Sequence, residues 1–248
     1  MRNLLILAVL AAILIVVNAL SGIAAEWHYV VPATAGAVLY AETFDAAPAD
    51  WELYEGRLAA QAEDGALHIM VDVPQRSPYS TANPHFADFD LRVQAKAVSG
   101  PLNNGFGVIF REQDPENYYL FLISSDGWYQ VKRSVDGDQV EVSTWIESPL
   151  VNQGLDAENS LRVVAQGDTF RFYINDEPVE LCIPDDPSGI STYVNGCIGG
   201  QMYGELVDSA IPSGQIGVVA LALDEPGVEV AFDNVLVFGP AATETDDG

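Results

Sequence analysis

The stretch "GFGVIFREQDPENYYLFLISSDGWYQVKR", Gly105 to Arg133, decides the fold. It divides into three short strands joined by two turns. Its apolar load is heavy: Phe106, Phe110, Tyr118, Tyr119, Phe121, Trp128 and Tyr129, with the charged Arg111 set among them. Within "NYYLFLISS", strand alternation puts Tyr118, Leu120 and Leu122 on one face and Tyr119, Phe121 and Ile123 on the other. A strand apolar on both faces lies mid-sheet with something packed on each side. One side is a sandwich core. The other is expected to carry Tyr119, with Arg111, Trp128 or Tyr129 alongside, and to bind something or be covered. Arg111 also reads as an ion-pair partner of Glu112, Asp114 or Glu116.

The same period continues outward from this block. "DLRVQAKAV" alternates, with Leu91, Val93, Ala95 and Ala97 inward and Arg92, Gln94 and Lys96 outward. "LRVVAQGDTFRFYINDEPVEL" predicts two hairpins, turning at Gln166-Gly167-Asp168 and at Asn175-Asp176. "GQIGVVALAL" and "VEVAFDNVLVF" close the domain as two further apolar strands. Nothing after residue 26 holds helical periodicity for three turns. The prediction is one all-β domain over residues 38–240, an antiparallel sandwich, between a linker at 26–37 and an acidic tail at 241–248.

The chain carries 36 acidic and 10 basic residues, a net charge of −26. That surface repels phosphate backbones, so no nucleic-acid partner is expected; it suits neutral partners or cations. The first 25 residues, with "LLILAVLAAILIVVNALSGIAA" from Leu4 to Ala25, form a hydrophobic helix that is either a signal peptide or a single membrane span. Its length, and Trp27 and Tyr29 at an interfacial depth, favour the uncleaved anchor. In both cases the domain is exported. Export makes Cys182 and Cys197 a disulfide closing a Pro/Gly/Asp-rich loop, worth about 3 kcal/mol in the chain-entropy model. A metal-thiolate reading lacks partner Cys or His at suitable spacing.

Four pieces together resemble a known family: "YAETFDAAPADWELYEGRLAAQAEDGALHI", the opening block, "NSLRVVAQGDTFRFYINDEPV" and "GQIGVVALALDEPGVEVAFDNVLVF". The chain is similar to exported modules of the 3-keto-disaccharide hydrolase domain family. The resemblance implies a concanavalin A-like jelly-roll β-sandwich, in a superfamily that mixes lectins, glycosidases and plain surface modules. A Glu-x-Asp-x-x-Glu strand, which in sandwich glucanases puts paired acids on one face, is absent here. His28 falls in the linker, and His68 and His85 suggest no triad. The enzyme reading therefore rests on whether Asp114, Glu116, Asp126 and Glu141 converge. For glycan or cell-surface binding the candidates are Arg111, Asn117, Tyr119, Trp128 and Trp145, aromatic faces for sugar rings and polar groups for hydroxyls. From related sandwiches a structural calcium ion is expected at Asp233, with Asp45 and the carbonyl of Gly65 as partners; hydrogen bonding of Asp233 to backbone amides is the alternative.

Overall fold

The computed structural model describes residues 29–241 apart from Pro187. The anchor or signal segment and most of the acidic tail lie outside the described residues. Within them the secondary structure is twenty strands and no helix, and no helix is long and apolar enough to cross a membrane.

The strands form two packed sheets. The front sheet runs Val30–Val31, Tyr79–Phe86, Gly214–Ala220, Gly105–Asp114, Asn117–Ser124, Trp128–Val135 and Asp138–Glu147 in spatial order. The back sheet runs Glu177–Pro178, Thr169–Ile174, Asn159–Gln166, Phe89–Ser99, Val228–Phe238, Ala66–Val71 and Leu58–Glu63. Leu206–Val207 adds to the back sheet beside Thr169–Ile174, and Val38–Glu42 beside Val228–Phe238. The chain crosses repeatedly between sheets, as a jelly-roll sandwich requires. Both predicted hairpins are present: Gly167 turns one, and Asn175 and Asp176, both at positive φ, turn the other.

Phe106, Val108, Phe110, Tyr119, Phe121, Ile123, Tyr129 and Val131 of the front sheet face inward, against Leu91, Val93, Phe170, Phe172 and Phe232 of the back sheet. Phe110 stacks on Tyr119 at 5.3 Å, and Phe121 meets Phe172 at 5.0 Å between centroids. Each such buried ring contributes about 1.5–3 kcal/mol. The strand "DLRVQAKAV" alternates as expected from Leu91 onward, its even positions half-buried and its odd positions buried.

Tyr119 therefore faces the core, the reverse of the expected phase. Its hydroxyl donates to Asp208 at 2.9 Å, which is how a polar tip is accommodated inside. Arg111 is also inside, 1% exposed. Simple alternation would put it opposite Phe110. A bulge breaks the pairing between Phe110 and Asp114, and Arg111 takes a positive φ of 50°, so consecutive side chains point inward. Among the described residues it pairs with no carboxylate. Its guanidinium donates to the carbonyls of Ala87, Gly167 and Ile211 and lies 4.6 Å over the Phe170 ring.

On the back sheet, Asp90 is buried and accepts from Arg92 at 2.8 Å and Arg162 at 2.7 Å. Burial pushes its carboxyl up, but the two guanidiniums more than offset this and hold it below the ordinary 3.8. A carboxylate lowered on folding adds stability that is complete above its unfolded value and is lost as pH falls through its folded one. Asp90→Asn is accordingly expected to cost about 2 kcal/mol at neutral pH. The cost should shrink towards zero below the folded value, as measured by urea midpoints across an acid series.

Candidate functional site

Ile109, Leu120, Leu122 and Val219 form a second apolar cluster on the outer face of the front sheet, covered by Tyr79, Tyr118, Trp145 and Leu221. This face is lined with aromatics, and its open end carries the candidate site.

Trp128 stands there, half-buried, between two clefts. The larger, about 520 Å³, is lined by Trp128, Glu147, Ser148, Pro149, Gln153, Tyr193, Val194 and Asn195. The smaller, about 170 Å³, is lined by Asn103, Ser124, Asp126, Trp128 and Trp145. One indole thus contributes to both, with two carboxylates, three side-chain amides and hydroxyl groups around it. Such a mixture of an aromatic plate with orienting polar groups suits a neutral polyhydroxyl ligand.

Each wall has a local cause. Trp128 opens its strand directly after the turn at Ser125-Asp126-Gly127, and the Ser124 hydroxyl donates to Asp126 and fixes its carboxylate. Gln153 lies against Gly127: a Cβ added there would meet Gln153 Nε2 at 2.4 Å, and the glycine holds a φ of +99°. The segment carrying Gln153 is pinned from behind by asparagines. Asn159, 1% exposed, accepts from the Asn152 backbone N–H and donates to its carbonyl, while Asn175 donates to Asn159 and to the Leu150 carbonyl. Gly127→Ala is therefore expected to destabilise the protein by about 1–2 kcal/mol and to push Gln153 out of the cleft. A thermal melt would show the first effect, and a reduced affinity for any cleft ligand the second.

The far wall comes from the disulfide insertion. Cys182 and Cys197 are joined, with Cα atoms 5.4 Å apart. At the end of the enclosed segment Thr192–Tyr193 pairs with Cys197–Ile198 in a small ribbon. The Cys182 N–H donates to Ser143 Oγ at 3.0 Å, which seats the insertion on the front sheet's edge strand. Tyr193, Val194 and Asn195 are thereby presented to Trp128.

Of the residues expected to bind ligand, Trp128 and Trp145 come together. Asn117 does not join them. It sits at the opposite end of its strand, where its amide donates to Asp114 and its carbonyl oxygen accepts from the Asp136 N–H. Arg111 and Tyr119 belong to the interior. Glu147, Gln153, Tyr193 and Asn195 were missed, although the cysteine pair marked the loop that supplies two of them. The four acids whose convergence bears on catalysis do not share a cleft. Asp126 lines the small one, Glu141 lines another with Arg133 and Asp208, and Asp114 meets Glu116 at a turn.

The expected calcium ligands lie near one another: Asp45 Oδ1 is 3.7 Å from a Cβ built on Gly65, and Gly65 and Asp233 line one cleft with Lys96. Asp233 accepts from the backbone N–H and the side-chain amide of Asn234. Among the described residues no group of three or more His, Cys, Asp or Glu side chains gathers at one point.

Several solved structures share the fold. The carbohydrate-binding module CBM66 from Bacillus subtilis is 17% identical, covering 75% of this chain and 93% of its own, with a TM-score of 0.52. A Bacillus subtilis protein of unknown function with a galectin-like fold is 13% identical, with coverages of 83% and 97% and a TM-score of 0.57. The catalytic domain of an endo-1,3-beta-glucanase (laminarinase) from Thermotoga petrophila RKU-1 is 12% identical, with coverages of 82% and 97% and a TM-score of 0.51. Among curated protein sequences no match is found. The model of the 3-keto-alpha-glucoside-1,2-lyase-like domain matches residues 40–237, nearly the whole sandwich. The chain belongs to the 3-keto-alpha-glucoside-1,2-lyase-like domain family.

Proposed function

We propose that this is an exported module that binds neutral glycans in the cleft around Trp128. The observation that carries the reading is the cleft itself: a half-buried indole faced by Gln153, Asn195, Tyr193 and Glu147. A pyranose ring stacks on the indole, and the amides and the carboxylate receive its hydroxyls. The net charge of −26 favours neutral ligands over anionic ones. Family membership and the sandwich fold support a sugar ligand, and the disulfide supports a location outside the reducing cytoplasm. Residues 1–25 are proposed to tether the domain to the membrane with the sandwich outside. A glycan array probed with the full-length protein tests the binding. Retention on at least one neutral polysaccharide is expected, and retention on acidic glycans alone contradicts it.

Family membership also favours a second reading, cleavage of a glycosidic bond. Asp126 and Glu147, one in each cleft beside Trp128, are the carboxylates available for it. Incubation with a 3-keto-glucoside separates the two readings: turnover lost in Glu147→Gln or Asp126→Asn supports the enzyme, and retention without turnover supports the binding module.

A further inference from the structure

On the outer face of the front sheet, one polar side chain has no part in the cleft described above. Gln130 lies between Tyr129 and Val131, both turned into the core, so its amide faces outward beside its cross-strand partner Leu122. It is nevertheless 0% exposed, and neither Nε2 nor Oε1 has a hydrogen-bond partner among the described residues. Among the described residues no other side chain leaves both a donor and an acceptor buried and unmatched. A buried amide without a protein partner calls for a physical reason.

The edge strand beside it carries Trp145. The edge strand pairs Ser143 with Val131 and Ile146 with Tyr129, so a bulge sets Thr144 and Trp145 against the single residue Gln130. From there the indole reaches over two intervening strands: its Cη2 atom is 3.3 Å from a Cβ built on Gly105. The missing side chain at Gly105 leaves the space in which the ring rests. The ring also packs on the Leu120 and Leu122 cluster and walls the small cleft beside Trp128. Among the described residues its ring makes only apolar contacts, and it stands at the lip of a cleft.

We propose that Trp145 is a displaceable lid and that the Gln130 amide is the floor of a second sugar subsite, continuous with the Trp128 cleft. The choice of ligand rests on the glycan reading given above; the lid does not. When the indole swings out, one sugar hydroxyl accepts from Nε2 and its neighbour donates to Oε1. A vicinal diol matches the side-by-side donor and acceptor of an amide. Neutral sugars are selected because Asp126 shares the entrance and disfavours anions.

A thiol introduced at this position tests the lid without any sugar. In the full-length Gln130→Cys protein, with the native disulfide intact, the rate of reaction with a methanethiosulfonate reagent reports opening. Adding Trp145→Ala is expected to raise that rate at least about tenfold, because the ring is the cover. An unchanged rate overturns the lid, whether or not any sugar binds. Gln130→Met, close in volume and apolar, is expected to raise Tm by about 3 °C, since it removes an unmatched amide. A fall in Tm overturns the orphan amide. Laminarihexaose and cellohexaose are the probes for the subsite. Affinity for either that is at least about tenfold weaker in Gln130→Met than in the native protein supports it. Binding that needs Trp128 but is equally tight in Gln130→Met overturns the subsite, and failure of every binding assay overturns the glycan reading instead.

Discussion

Arg111→Met is expected to cost about 3–5 kcal/mol, against a total of about 5–15 kcal/mol for a domain of this kind. The cause is the number of separate turns that one guanidinium holds. It donates to Ala87 between two strands that change sheets, to Gly167 at a hairpin turn, and to Ile211 ahead of the strand Gly214–Ala220. Burial pushes its own pKa down, while Tyr119, Asp88, Asp168 and Asp208 act to raise it. Removal leaves the buried Ile211 carbonyl unmatched and uncovers the face of Phe170. Arg111→Lys should recover only part of the loss, because an ammonium cannot present a planar fork to three carbonyls. Urea unfolding measures both variants; a cost below about 1 kcal/mol for the Met variant would contradict this role.

The second large effect is on binding. Trp128→Ala is expected to weaken glycan affinity by about 2–3 kcal/mol, roughly 30- to 140-fold in Kd. Its indole is the surface shared by both clefts, so no neighbour can replace its plate. Trp128→Phe should keep most of the affinity, since a smaller ring still stacks. Stability should change little, because the residue is half-buried at a strand end. Titration of the two variants in parallel separates lost stacking from lost folding.

These residues also show how far the chain could be read before its structure. Period-2 alternation was enough to place "DLRVQAKAV", the hairpins and the antiparallel sandwich, because those strands have one wet face and one dry one. In "NYYLFLISS" both faces are dry, so alternation defines two sets but not which is the core. The phase was therefore inverted, and Tyr119 was assigned outward. Arg111 was misplaced for a different reason: a bulge shifts the side-chain register by one, and no local residue pattern announces it. The site was legible where its marker was covalent. Two cysteines fixed the insertion, but which residues it would aim at Trp128 depended on where its edge strand lay in the sheet. Gln153 shows the same dependence, since its position follows from a glycine in another turn.

The glycan cleft is tested most directly by the indole N–H signals of the tryptophans. The chain has four, Trp27, Trp51, Trp128 and Trp145, and the Trp51 indole is committed to the Tyr40 hydroxyl at 2.8 Å. A nitrogen–proton correlation spectrum of the full-length protein, titrated with a neutral oligosaccharide retained on the array, should shift Trp128 in proportion to occupancy. Trp145 should move with it, while Trp51 stays fixed. Saturable binding that leaves the Trp128 signal in place would contradict the cleft.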